Sequence, residues 1–427
     1  MLRDRTSNAR RPRRLLALTV ACAALLALLV VAGCGSSNGS STSTGASTSS
    51  GGGATTSGGS QTTAAVSDAQ VQNTVNTAMN TDTVTASSLP PMLLDYFKRA
   101  TAVPDAATQA KAYACWQANT CTVGSGDITL GIADGFGDNT WRKFSKMNAI
   151  LEALTYPEIG KIISTNAHGD LAKFQSDLRS LTAQGAKAIV SYNDFGPAAY
   201  SAFTAAQRSG AAVSTYVGPG DGAPTSAITT RVQPDICQAG KTMAQATKDA
   251  VGSAPVAYFS GTPGNPQDAG WQKCATEAGT NAIFKADTSW TPAGAQKATS
   301  ALIASGKPAK AILYSYSNPV PVMVKTYNKA NKPVPAIITW TQDNGTSCLW
   351  KKQQFKLYQT NALNWAAGAA VDASMAKAMG KDAPAELIYP FPFTQAKASD
   401  CAPGKPADFP GASSLVPDSL TAKILGG

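Results

Sequence analysis

Apolar and polar positions change their spacing several times along this chain. Leu15–Ala32 is an uncharged apolar run behind a basic start, and Gly35–Val66 is uncharged, dominated by Ser, Thr and Gly, and without period. Val66–Thr122 reads as polar helix, broken at Leu89-Pro90-Pro91. From Asp127 short apolar runs alternate with helical spacing. Ile128–Ala133 reads as a strand, and Trp141, Phe144, Met147, Ile150, Leu151 and Leu154 recur at helical intervals over Thr140–Leu154. Lys161–Thr165 is a strand. Asp170–Gln184 is a helix with Leu171, Phe174, Leu178 and Leu181 on one face, Asp170 at its start and Gly185 at its stop. Ala188–Tyr192 is a strand, Pro197–Arg208 a helix and Ala211–Val217 a strand.

The Gly- and Pro-rich stretch Gly218–Pro224 interrupts this alternation, which then resumes. Helices are expected at Pro234–Val251, Gln267–Ala278, Ala293–Ser305, Val320–Ala330 and Leu363–Met379. Strands are expected at Pro255–Phe259, Ile283–Thr288, Ala309–Tyr314, Ala336–Trp340 and Gln354–Tyr358. Short turns between alternating strands and helices are the grammar of a parallel sheet. The fold class expected is α/β, with two doubly wound, Rossmann-like parallel-sheet lobes. Pro384–Gly427 is Pro-rich, lacks periodicity, and is expected to wrap the body.

The leader sets the compartment. Six Arg and one Asp precede the apolar run, which closes on Val31-Ala32-Gly33-Cys34. That pattern is a secretory signal over 1–33 ending in a lipobox, with Cys34 acylated. The alternative is an uncleaved membrane helix, since about 18 apolar residues just span a bilayer. Either way the basic end stays inside and the rest is exported. The segment 34–66 buries nothing and should be a flexible tether. Half of the formal charge of +10 lies in the leader. The exported part is thus only weakly basic, with no dense Lys/Arg run, and gives no argument for nucleic acid.

Of eight cysteines, Cys22 and Cys34 belong to the leader. The other six are an even number in an exported chain, which suggests disulfides. Six cysteines allow 15 pairings; pairing within local segments gives Cys115–Cys121, Cys237–Cys274 and Cys348–Cys401. No CxxC occurs and His168 is the only histidine, so zinc, a Ser-His-Asp triad and a Cys-His pair lack material. No metal, no cofactor and no enzymatic activity are expected.

Four stretches carry a resemblance to a known family. They are Asp170–Ile189, Gln233-Pro234-Asp235 through Gly240-Lys241, Gly261–Asn265 and Tyr358-Gln359-Thr360-Asn361. In order and spacing the chain resembles the type I periplasmic solute-binding proteins of sugar ABC importers, the ribose- and galactose-binding group, over roughly Asp127–Met379. Before that span the residues themselves place a helical extension at 67–126, and after it a tail at 384–427. The expected first lobe is 127–225, completed by about 361–383 as the resemblance implies, and the second lobe is 226–360. Three crossings between lobes are then expected, near Ala223–Thr230, Tyr358–Asn361 and Asp382–Tyr389.

Ligands of open parallel sheets bind beyond the carboxyl ends of the strands. The candidates in the first lobe are Phe136, Asn139, Trp141, Asn193, Asp194 and Tyr216. In the second lobe they are Trp271, Tyr316, Asn318, Trp340, Gln342 and Asp343, with Gln359 matching the family's crossover Gln. Aromatic rings beside Asn, Asp and Gln suit a sugar, which has apolar C–H faces and polar edges. An amino-acid site needs a cation as well; Arg142 and Arg231 are the candidates. Many sugar receptors of this type present an Arg where this chain reads Asp268-Ala269-Gly270-Trp271-Gln272, so Trp271 stands as either a stacking platform or core. The expectation is a monomeric, lipid-anchored receptor that hands a small polar solute, a sugar first, to an importer permease. The same fold binding an amino acid, amide or nucleoside, or acting as a sensory receptor, is the alternative; a surface enzyme is a further rival.

Overall fold

The computed structural model describes residues 66–218 and 222–426. The leader, Cys34 and all but the last residue of the expected tether lie outside the described residues. The described residues form one compact unit. Its first three helices are α1 (Asp68–Met79), α2 (Pro91–Thr101) and α3 (Ala106–Gln117). The first two are amphipathic, not merely polar: Val71, Val75, Met79, Leu93, Tyr96 and Phe97 are buried in the central core, whereas α3 buries only Ala112 and Cys115. The Pro90-Pro91 break starts α2, with proline at its first turn.

The first lobe follows as β1 (Thr120–Thr122), β2 (Ile128–Asp134), α4 (Thr140–Ala153), β3 (Ile159–Asn166), α5 (Leu171–Ala183), β4 (Ala186–Tyr192), α6 (Tyr200–Arg208), β5 (Ala212–Tyr216) and β6 (Thr230–Pro234). The second contains α7 (Ile236–Val251), β7 (Val256–Ser260), α8 (Pro266–Glu277), β8 (Ala282–Asp287), α9 (Pro292–Ala304), β9 (Ala311–Tyr314), α10 (Val320–Lys329), β10 (Ala336–Thr339), α11 (Asn344–Gln353) and β11 (Leu357–Gln359). The chain ends with α12 (Ala366–Ala378), β12 (Glu386–Tyr389), β13 (Thr394–Gln395) and α13 (Asp418–Gly426). Strand order is β1-β3-β2-β4-β5-β6-β12 in one sheet and β13-β11-β10-β9-β7-β8 in the other. Only β1 and β13, each at an edge, run antiparallel to their neighbours. The expected pair of doubly wound lobes is thus present.

The lobe boundaries shift for reasons of pairing. Thr230–Pro234, expected in the second lobe, is a strand of the first, hydrogen-bonded to β5 on one side and β12 on the other. The first crossing therefore falls after Pro234 rather than at 223–230. The second lies between β11 and α12, and the third between β12 and β13, beyond the expected 382–389. Asn344–Gln353, which shows no apolar stripe, is helical because Asp343 caps it, its side chain accepting from Thr346 N at 2.8 Å.

The expected cysteine pairs Cys115–Cys121, Cys237–Cys274 and Cys348–Cys401 are all formed. The last pins the tail to α11. Far from lacking structure, the tail supplies β12, β13 and α13. After Cys401 it returns from the second lobe to the first: Phe409 packs on Phe144 at 6.1 Å, and α13 packs on α3 and α4. It is a fourth passage between the lobes. One continuous core links α2, α4 and α12 to α7 and α8. Two smaller cores lie under α5–α6 and under α9–α10.

Candidate functional site

Where the strand ends of the two lobes face each other there is a cavity of about 300 Å³. The first lobe lines it with Asp138, Asn139, Thr140 and Trp141, from the loop after β2 and the start of α4. The second lines it with Tyr316, Ser317 and Asn318 after β9, and with Thr341, Gln342 and Asp343 after β10. The tail adds Asp408 and Pro410.

Each wall is held by local structure. Asn139 caps α4, accepting from Arg142 N at 2.9 Å. Trp141 is half-buried: its Nε1 donates to Ala362 O at 2.6 Å and its ring stacks on Tyr216, 25° from parallel at 6.3 Å. Thr341 Oγ1 pairs with Ser317 Oγ at 2.9 Å, joining the two second-lobe loops. Gln342 Oε1 accepts from Ser413 N at 3.2 Å, and Gly411 (φ +88°) lies so close that a Cβ there would stand 2.7 Å from that oxygen. Asp408 accepts from Thr140 Oγ1 across the lobes. The lining thus holds three carboxylates and no Lys or Arg. Burial raises the pKa of Asp343 against its hydrogen bonds, which lower it.

Behind Trp141 lies a buried charge cluster. Arg142 Nη1 bonds Asp134 Oδ1 at 3.0 Å, Nη2 bonds Asp194, and the guanidinium sits 3.4 Å from the centre of the Tyr192 ring. Burial pushes the Asp194 carboxyl up to about 6, with Arg142 opposing. Arg142 is therefore spent inside the first lobe. Arg231, the other cation considered for an amino-acid site, pairs with Glu386 on adjacent strands.

Six candidates from the sequence line the cavity: Asn139, Trp141, Tyr316, Asn318, Gln342 and Asp343. Asp194, through Arg142, and Tyr216, stacked on Trp141, stand behind them as supports, and Asn193 is buried with its Nδ2 donating to Gly196 O at 3.2 Å. Phe136 is 47% exposed and outside the lining. Trp271 is core, fully buried against Tyr258 with Nε1 on Asp268 at 2.8 Å. Trp340 is core as well, edge-on to Phe391 with Nε1 on Met243 Sδ. Gln359 is buried and held by Asp400 Oδ2 at 3.0 Å and by Ser347, so the tail has claimed it. Asp138, an acid the sequence also places at the cleft in the loop after β2, lines it too. Missed were Thr140, Ser317, Thr341, Asp408 and Pro410. The first three sit beside candidates in the same loops; the last two had no signal, since nothing local marks where a Pro-rich tail docks. Gln267 was missed too: its Nε2 donates to Val217 O at 2.7 Å, a buried bond from α8 to the opposite lobe.

A family model described as a periplasmic binding protein domain matches residues 132–382, more than half the chain. No curated protein matches the sequence. Among solved structures, the chain is similar to an ABC transporter solute-binding protein of Bacillus halodurans with bound myo-inositol, at TM-score 0.56 and 13% identity, covering 64% of this chain and 96% of that one. It is similar to a periplasmic ribose ABC transporter protein of Conexibacter woesei, at TM-score 0.56 and 16% identity, covering 64% and 94%. A fructose-binding periplasmic domain of a hybrid two-component system gives TM-score 0.55 at 14% identity, covering 63% and 90%. At such identities the likeness is one of fold.

Proposed function

The chain belongs to the periplasmic binding proteins, and on that premise we propose that it captures a single small polar solute, a sugar or polyol, between its lobes and delivers it to an ABC importer. The observation that carries this reading is the inter-lobe cavity. Its volume is that of a small-ligand site at the compact end of the range. An aromatic face, Trp141, stands beside Asn139, Asn318, Gln342 and Asp343. Carboxylates and amides accept and donate to hydroxyls, and an indole face suits the C–H side of a sugar ring. With Arg142 already paired, the cavity offers no cation to a solute carboxylate, which counts against a free amino acid. The protein binds and releases without chemistry.

In this reading the leader exports the chain, Cys34 carries a lipid, and the segment after it tethers a monomeric receptor near its permease. The similarity to a sugar-binding domain of a two-component system favours a second reading, in which occupancy is reported to a sensor. Both readings share the binding step. The test is the melting temperature of the full-length protein against sugars, polyols, amino acids and nucleosides. A true ligand at one hundred times its Kd stabilises by about 2.7 kcal/mol. A shift from a monosaccharide or polyol is expected; a shift from amino acids alone overturns the proposal.

A further inference from the structure

A second cavity, of about 260 Å³, opens on the flank of the first lobe. No second-lobe residue lines it. Its walls are Trp116 and Asn119 of the extension, the ends of β2 and β3, and the side of α4 that carries Lys143 and Lys146. Lys146 Nζ donates to Trp116 O at 2.7 Å, which leaves two of its three N–H groups uncommitted. Neither Lys143 nor Lys146 forms an ion pair with any described residue. At the same wall Ser164, 7% exposed and on the face of β3 that Ile162 turns to α4, has a buried Oγ without a partner. A buried hydroxyl left unpaired is costly, and a turn about χ1 moves it between staggered positions. The one carboxylate in the lining, Asp134, is already bonded to Arg142 and to Phe136 N.

We propose that this flank cavity is a second binding site, which takes a small oxyanion (a phosphate, sulfate or carboxylate group) on Lys146 and Lys143 with the Ser164 hydroxyl. The site is independent of whether the cleft binds a sugar, because one lobe and the extension build it entirely. Burial pushes the Lys146 ammonium down to about 8, with Asp134 opposing. An anion restores what burial removed, so binding at pH 8 draws a proton onto Lys146. The charged groups around it are Arg142 and Lys143 on its own helix, Asp134 on β2, Asp194 beyond Arg142, and the His168–Asp138 pair on the neighbouring loops. From the other side α13 brings Lys423, which lies over the Tyr113 ring.

The experiment is calorimetric titration of the full-length protein with inorganic phosphate, sulfate and succinate at low ionic strength. Saturable binding of at least one is expected, with proton uptake at pH 8 and affinity falling on the order of tenfold per pH unit above 8. Lys146→Met should weaken binding more than tenfold and abolish the proton uptake, while Lys146→Arg should keep binding and lose its pH dependence near 8. Tyr316→Ala, in the cleft, should leave anion binding unchanged. Absence of saturable binding by all three anions overturns the proposal, as does binding that Lys146→Met leaves intact.

Discussion

The two cavities lie on either side of the first turns of α4 and are opposite in nearly every respect. The cleft cavity is walled by both lobes and the tail, and lines itself with Asp138, Asp343 and Asp408. The flank cavity is walled by one lobe and the extension, and lines itself with Arg142, Lys143 and Lys146. Consecutive residues serve the two sides: Trp141 faces the cleft and Arg142 the flank. The difference teaches that a site shared by two lobes is coupled to their closure, whereas a site within one lobe is not. Arg142 is the partition, and its pairing with Asp134 and Asp194 keeps the acids from repelling one another beneath both cavities.

The partition is the first thing to break. Arg142→Met strands two buried carboxylates and should cost about 3–5 kcal/mol in urea unfolding. A loss under 1 kcal/mol means that water reaches the cluster. Next is the strap. Replacing Cys348 and Cys401 by Ala should cost about 2–4 kcal/mol. It should also weaken cleft binding by freeing Asp408, with the flank site unaffected; equal weakening of both erases the contrast. Trp141→Ala should leave the fold intact and raise the Kd of a cleft ligand about 30-fold, as loss of roughly 2 kcal/mol implies. Loss of the fold instead assigns Trp141 to the core.

Smaller effects sharpen the same comparison. Gln267→Ala removes the bond to Val217 O and should lower cleft affinity by about 1 kcal/mol, through closure, without touching anion binding. The pH profile of stability isolates the flank. Below pH 8 Lys146 is charged in folded and unfolded chains alike, and its burial weighs on the fold in full. Between pH 8 and about 10.5 the unfolded chain holds a proton that the folded one has shed, so stability rises with pH. Unfolding curves of Lys146→Met should lack this rise.

Much of this was legible in the residues. Helix starts such as Asp170, whose side chain accepts from Lys173 N, and the α4 stripe of Phe144, Met147 and Ile150 are local signals, and the structure realises them. The strand ends pointed to the right loops, so Asn139, Tyr316 and Gln342 were found. Trp271, Trp340 and Gln359 are where the reading failed. An aromatic or an amide beyond a strand looks the same whether it turns to the cleft or to the core. Trp271 turned inward because Asp268, one helical turn earlier, offered its indole a partner beside Tyr258. Gln359 was taken by Asp400 of a tail with no period of its own.

The sequence by itself determined the alternation of strands and helices, the two lobes and which loops meet at the cleft. Each of these rests on spacing and capping within a short stretch of chain, whereas the neighbour pairing of the cysteines spans 6, 37 and 53 residues. Only the tertiary structure decided that β6 belongs to the first sheet, that the tail crosses back as a strap, and that Arg142 is spent on two acids instead of a solute. Those outcomes depend on contacts between residues far apart in the chain: Arg231 beside Glu386, Gln342 beside Ser413, Thr140 beside Asp408. A local pattern records what a segment can bury and cap, but not which distant segment arrives to pair with it.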